Sequence, residues 1–387
     1  MSVPYWRLSG FYFFYFATLG AILPYWNLYL KDNGFAPAEI GELSAMLAST
    51  RIIAPNLWGW IADHTGKSLR IIRILSFFAA LLFAGFLYGR GYFWFAWTTL
   101  TFSFFWNAAL PQFEAITLLH LKAEPYRYSR IRIWGSVGFI VTVLGIGRLL
   151  DFQHISILPL IIMALLTTIW IASLMIPEAR VQHHENHSVG LFAIVKKPEV
   201  LAFFTACMLL QAAHGPYYVF YSIYLQQHYY ASSLIGFLWT LGVVAEIVLF
   251  FFVAGLLKRY SLRFTLLVSL LLAVLRWLLI GWCANHPAVL IFAQLLHAAT
   301  FGSAHVAAMH FVQRFFGEQH QSKGQALYTS FSFGIGGMAG SLYSGYYWDL
   351  LGPQVVYSLA AACCGFAFLI AFIWVGRENR RNIDPLG

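Results

Sequence analysis

Apolar residues in this chain come in blocks of about 20 or more, separated by short clusters of charged residues, Pro and Gly-Asn breaks. A helix needs about 20 mostly apolar residues to cross the hydrocarbon core of a bilayer. Cutting at the polar breaks predicts twelve such helices, at 6–30, 38–62, 69–88, 92–120, 130–150, 155–176, 198–226, 232–257, 262–282, 287–316, 323–349 and 354–376. Strands of a membrane barrel would be about ten residues long and would alternate apolar with polar positions. These blocks do neither. The first block follows Arg7 directly, holds Pro24, Asn27 and Lys31 near its far end and has no small-residue cleavage site. It reads as a spanning helix, not as a removed signal.

The longest polar segment runs from Pro177 to Pro198, near the middle of the chain, and divides the helices six and six. The expected organisation is an N-terminal bundle over 1–176, a cytoplasmic linker over 177–197 and a C-terminal bundle over 198–387. His183-His184-Glu185-Asn186-His187 lies in the linker and reads as solvated loop, because neighbouring loop residues lack a fixed ligand geometry; no metal site is expected. The halves echo each other. Trp134-Gly135-Ser136-Val137-Gly138 is followed by Asp151, and Phe333-Gly334-Ile335-Gly336-Gly337 by Asp349. The fold class is thus all-α: a polytopic membrane protein of two pseudo-symmetric six-helix bundles with a path between them.

Composition closes off other classes. The chain is 60% hydrophobic and 10% charged, whereas soluble domains carry about 25% charged residues. A soluble enzyme, a secreted disulfide scaffold and a disordered chain are excluded. The net charge of +9 raises the question of nucleic acid, but the basic residues are scattered through short loops, so no nucleic-acid partner is expected. Cys207, Cys283, Cys363 and Cys364 sit in apolar stretches without metal-site spacing. With the N-terminus placed inside, 19 of the 24 Lys and Arg fall on the cytoplasmic side. Lys31, Arg90 and Arg148 fall outside, and Arg51 and Arg276 lie within helices. That bias orients the chain with both termini cytoplasmic.

Gly66-Lys67-Ser68 is not a phosphate loop: the residue that would have to be Gly is Ile61, and no strand precedes it. ATP binding is rejected, and a transporter without cofactor, not an enzyme, is expected. Gly59-x-x-x-Asp63-x-x-Gly66-Lys67, between the second and third helices, instead resembles the loop motif of the major facilitator superfamily. The resemblance implies that these four residues form a conformational latch for the inward-closed state. The corresponding loop at Gly255-Leu256-Leu257-Lys258-Arg259 is degenerate.

Tyr15-Phe16, Gly20, Pro24-Tyr25-Trp26, Leu30-Lys31, Gly34 and Ile40-Gly41 are similar to the first-helix signature of the bacterial phenylpropionate permease group, relatives of lactose permease. The segment from Phe113-Glu114-Ala115 to Arg132-Ile133-Trp134-Gly135 matches the lactose-permease spacing of a substrate-binding acid and arginine, which implies those roles for Glu114 and Arg132. Arg276 and His297 fall where that family has the Arg and His of its coupling network. Two positions depart from the pattern. Thr300 stands in place of the carboxylate that hands off the proton, and Val243 in place of an essential helix-eight carboxylate, with Glu246 one turn on.

Independently of the resemblance, an ionisable group near the bilayer centre costs about 2.5–3.5 kcal/mol on insertion scales and marks function by default. Arg51, Glu114, Glu246 and Arg276 are such groups. The expected substrate-binding set is Arg51, Glu114, Arg132, Arg276, His297 and Asn27; the expected proton-coupling set is Glu246, Glu114 and His297. The expected activity is proton-coupled uptake of a small organic solute by alternating access. The resemblance implies an aromatic carboxylate and a bacterial inner membrane. A proton symporter of a neutral sugar or nucleoside is the alternative, and a transporter-like sensor or channel a third. The partners expected are a small-molecule substrate, protons and lipid, around a functional monomer driven by the proton gradient.

Overall fold

The computed structural model describes residues 3–121, 124, 127–178 and 191–376, and every regular element among them is helical. In chain order they are α1 (Tyr5–Asp32), α2 (Pro37–Thr65), α3 (Ser68–Phe83), α4 (Gly85–Tyr88), α5 (Tyr92–His120), α6 (Tyr128–Leu150), α7 (Leu158–Leu174) and α8 (Leu191–Val195). After these come α9 (Pro198–Ala213), α10 (Gly215–Gln227), α11 (Ser232–Arg259), α12 (Leu262–Trp282), α13 (Pro287–His297), α14 (Ala304–Tyr328), α15 (Gly337–Leu351) and α16 (Pro353–Trp374). Widened π turns at Ala298–Ser303 and Thr329–Gly336 join α13 to α14 and α14 to α15. The expected linker motif at His183–His187, and Lys122, Arg180, Arg377, Arg380 and Arg381, lie outside the described residues.

Nine helical stretches among the described residues are long and apolar enough to cross a membrane. Nine of the twelve expected spans therefore meet that description; the runs at 38–62, 92–120 and 323–349 are helical but do not. The reason is their polar content. Glu39, Glu42, Arg51 and Asp63 lie on α2, and Asn107, Gln112 and Glu114 on α5. A helix keeps such groups within a membrane only where they face protein or water. The span at 198–226 is broken at His214, just before Pro216. The turn expected between 316 and 323 reduces to Gly317 (φ 60°, ψ −177°), in a conformation that glycine adopts without a Cβ penalty.

Helices α1 to α7 pack mainly on one another, and α9 to α16 likewise. The two groups meet where α2 lies on α15, α6 on α11 and α1 on α10. Small residues allow this approach: a Cβ on Gly41 would sit 2.7 Å from Gly345 Cα, and one on Gly147 would sit 2.8 Å from Ser232 O.

Polar bonds across the seam concentrate at the end that carries Asp32 and Asp151. Asn27 Nδ2 donates to Tyr218 O (3.3 Å) and Val219 O (3.0 Å), and Lys31 Nζ to Gln226 Oε1 (3.3 Å). Ser233 N donates to Asp151 Oδ1 (3.1 Å), and Glu42 accepts from Tyr346 across the seam and from Tyr92 in its own group. Toward the other end, the last hydrogen bond between the groups among the described residues is Asn56 Nδ2 to Ser330 Oγ at 3.5 Å. The bonds between the groups thus gather at the Asp151 end and thin out toward the end that carries Asp63, where Glu114 and Arg132 are partly exposed; the interface on that side is termed the crevice.

Candidate functional site

On the first-group wall of the crevice, α5 and α6 run antiparallel and bring Glu114 and Arg132 together. The Arg132 Nε to Glu114 Oε1 distance is 3.9 Å, and both side chains are about one-third exposed. This is a loose pair, unlike a two-pronged guanidinium–carboxylate contact, in which both hydrogen bonds run at about 2.7–2.9 Å. Tyr128 Oη donates to the same Glu114 oxygen at 3.4 Å. The guanidinium lies 3.9 Å from the Phe16 ring centre and 5.6 Å from that of Tyr12, so α1 supplies an aromatic floor. Tyr12 is itself fixed by a hydrogen bond to Thr117.

Deeper on α2, Arg51 Nε donates to Asn107 Oδ1 at 3.4 Å. The Asn107 amide in turn donates to Leu47 O and Thr50 Oγ1, which fixes which of its ends faces the arginine. Arg51 therefore meets a neutral side chain, and lies within electrostatic reach of Tyr15 and Tyr218.

Across the crevice, the π turn at Ala298–Ser303 displaces the helix line beside α11. Gly302 there lies against the side chain of Glu246, and a Cβ added to it would sit 3.1 Å from Glu246 Cγ. Glu246 Oε2 is 3.9 Å from His297 Nε2, and Glu246 is within electrostatic reach of Arg132 on the opposite wall. Behind this pair Arg276 is wholly buried. It donates to Ala293 O (3.1 Å), Thr300 Oγ1 (3.3 Å) and Gln294 Oε1 (3.3 Å). Thr300, which stands where the resemblance has a carboxylate, thus faces the guanidinium as a neutral hydroxyl.

The structure gathers Glu114 with Arg132, and Glu246 with His297, on facing walls. Arg276 lies behind the second pair, and Arg51 lies apart with Asn107. Asn27 is placed differently: its amide bridges the closed seam, and its Oδ1 accepts from Ser44. Tyr12 and Tyr128 escaped the sequence reading as site residues. Both had a signal. Tyr12 is four residues before Phe16, and Tyr128 four before Arg132, so each shares a helix face with a residue of the site. Tyr218 is in electrostatic reach of Arg51, Arg276 and Glu246.

Of the latch motif, Gly66 ends α2 in the left-handed conformation (φ 65°), and Asp63 and Lys67 are exposed beyond the crevice mouth. Among the described residues Asp63 makes no ion pair or side-chain hydrogen bond. Asp151 at the opposite end is engaged. Partial desolvation pushes its carboxyl up, but hydrogen bonds from Ser233 and the neighbouring Arg148 outweigh this and hold it below its ordinary value.

A model of the MFS_1 like family matches residues 5–359. The chain is 30% identical over 372 residues to the protein of Escherichia coli (strain K12) named "Probable 3-phenylpropionic acid transporter", covering 94% of this chain and 96% of that one. It is 26% identical over 385 residues to the maltose permease of Geobacillus stearothermophilus, covering 95% and 94%. Among solved structures, the crystal structure of nucleoside transporter NupG superposes with a TM-score of 0.82 at 20% identity, over 97% of this chain and 98% of that one. At that identity the likeness is one of fold.

Proposed function

We propose, for a chain that belongs to the MFS_1 like family and is a secondary transporter with the major facilitator fold, proton-coupled uptake of a small aromatic carboxylate. One observation carries the substrate class: a loosely held guanidinium at Arg132, lying over the rings of Phe16 and Tyr12 at the crevice wall. A carboxylate takes the free edge of the guanidinium, and an aromatic ring stacks on the same floor. The name of the 30%-identical relative supports the same class. Arg51 adds positive charge, and Glu114 competes with the substrate for Arg132.

Glu246 and His297 form the proton-carrying pair, since they are a titratable couple facing the crevice without a tight ion pair. The charge bias of the loops orients the Asp63 end and both termini to the cytoplasm of a bacterial inner membrane. In that orientation our reading is of an inward-open state of a functional monomer, with the latch at Gly59, Asp63, Gly66 and Lys67 released, supported by the exposure of Asp63 and Lys67. Alternating access then requires the Gly41–Gly345 seam to part while the crevice closes.

The test is binding of 3-phenylpropionate and of its uncharged amide to the purified protein. The acid should bind at least about tenfold more tightly, the equivalent of about 1.4 kcal/mol. Equal binding would reject an anionic substrate. A maltose permease and the "Putative nucleoside transporter YegT" among the sequence relatives keep a neutral sugar or nucleoside as the second reading, which displacement of the bound acid by maltose or a nucleoside would favour.

A further inference from the structure

Lys31 stands at the last turn of α1, at the Asp151 end of the seam, and the site described above does not use it. Its ammonium donates to Gln226 Oε1 of the other group at 3.3 Å, a neutral acceptor. An ammonium has three N–H donors, and among the described residues no carboxylate lies within ion-pair distance of this one. The acids of this end are engaged elsewhere. Asp32 Oδ1 is 3.4 Å from His154 Nε2, and Asp151 accepts from Ser233 N and meets Arg148 at 3.5 Å. His154 Nδ1 accepts from Ser156 N, so in the neutral ring the proton sits on Nε2, toward Asp32.

Lys31 borders a cavity of about 300 Å³, which is at the small end of the range of small-molecule sites. Lys31, Asp32, Gln153 and His154 line it from the first group, and Gln226 and Ser232 from the second. Gln153, His154 and Gln226 are exposed, so the cavity is reached from solvent while the seam is closed.

We propose that this outer cavity binds a small hydroxylated monocarboxylate and thereby holds its end of the molecule closed. The carboxylate takes the remaining ammonium donors of Lys31. Hydroxyls meet the amides of Gln153 and Gln226 and the hydroxyl of Ser232, polar groups that an apolar occupant would strip of water without repayment. One negative charge is the limit, because Asp32 stands on the same wall. The locking follows from where the walls come from. They belong to both groups and face each other only while the seam is closed, so a ligand held between them favours that state. The site is separate from Arg132 and does not rest on the substrate assigned there.

The probe is D-gluconate, with uncharged D-glucitol as its control, added to the purified full chain. A ligand that binds only the folded state raises the unfolding temperature in a saturable way. Gluconate should do so, and glucitol at the same concentrations should not. Gln226→Glu gives Lys31 a carboxylate in place of the amide it already touches, and should weaken gluconate at least about tenfold. Arg132→Gln should leave gluconate binding unchanged. That pattern establishes the site; any other, including no response to gluconate, overturns it. The locking is read in intact cells on Ser44→Cys, in a chain without the four native cysteines. Saturating external gluconate should slow its reaction with an impermeant thiol reagent about fivefold or more. An unchanged or faster reaction overturns the locking.

Discussion

The two walls of the crevice hold positive charge in opposite ways. On the first, Arg132 has its own carboxylate, Glu114, at 3.9 Å, and both side chains reach solvent. On the second, Arg276 is sealed from solvent and among the described residues its hydrogen bonds end on neutral acceptors, while Glu246 lies 3.9 Å from His297. A guanidinium that is loosely paired and partly wet can exchange its partner at low cost. One that is enclosed by packing cannot reach a new partner unless the helices around it move. The first wall is therefore suited to capture and release, and the second to holding charge fixed while a neighbouring pair titrates.

If that division of labour is right, Arg132→Ala has the largest effect. It removes the exchangeable cation and leaves Glu114 without its partner, so substrate affinity should fall about a hundredfold, or ~3 kcal/mol. Arg132→Lys keeps the charge but loses the planar fork and should recover only part of that loss. Equilibrium binding of radiolabelled 3-phenylpropionate measures both, and an unchanged Kd in Arg132→Ala would place capture elsewhere.

Glu246→Gln sharpens the other side of the comparison. It should leave substrate counterflow intact while uphill accumulation falls to equilibration, since exchange requires the site and the rocking motion but no net proton movement. Accumulation that persists would move the proton to Glu114 or His297.

A smaller effect is expected at the seam that both walls share. Gly41→Leu forces a side chain into the 2.7 Å approach to Gly345, and overpacking of this kind costs typically 1–3 kcal/mol. The closed end should open. A thiol introduced at Ser44, in a background without the four native cysteines, should then react with an impermeant reagent from outside; unchanged protection would mean that another contact holds the seam.

The smallest effects belong to the two ends. Among the described residues Asp63 has no partner, so Asp63→Asn should leave affinity within about twofold and slow only the cycle, read as the rate of counterflow. Asp151 is held below its ordinary value, so its contribution to the closed seam is present at and above the unperturbed Asp range, near ~3.9, and fades only as pH falls below that. Labelling at Ser44 should accordingly not change through Asp151 between about pH 8 and 5, whereas Asp151→Asn should raise it at every pH.

Much of the site could be read from the sequence because charge is conspicuous in an apolar chain. Arg51, Glu114, Glu246 and Arg276 each interrupt a long hydrophobic run, and Glu114 and Arg132 stand 18 residues apart across one short turn, which antiparallel helices bring together. The seam was not readable. Gly41 and Gly345 are far apart in the chain, and nothing in the periodicity of either helix pairs them. Asn27 shows the same limit, because a polar residue in a spanning helix looks alike whether it faces substrate or, as here, clasps the backbone of Tyr218 and Val219. The repeated Gly motifs do not share one relation: Gly138 packs on the Phe13 backbone within its own group, whereas its counterpart Gly337 faces Ala48 of the other group, where an added Cβ would lie 3.6 Å from the Ala48 Cβ. The aspartates that follow them part company, with Asp151 bonded across the seam and Asp349 exposed.

Uptake of radiolabelled 3-phenylpropionate into proteoliposomes, with and without an inwardly directed proton gradient, bears most directly on the proposed activity. Accumulation above the external concentration should occur only with the gradient, collapse with a protonophore and disappear in Glu246→Gln. Uptake that reaches the same level with and without the gradient would contradict proton coupling, and no uptake under either condition would contradict the substrate class.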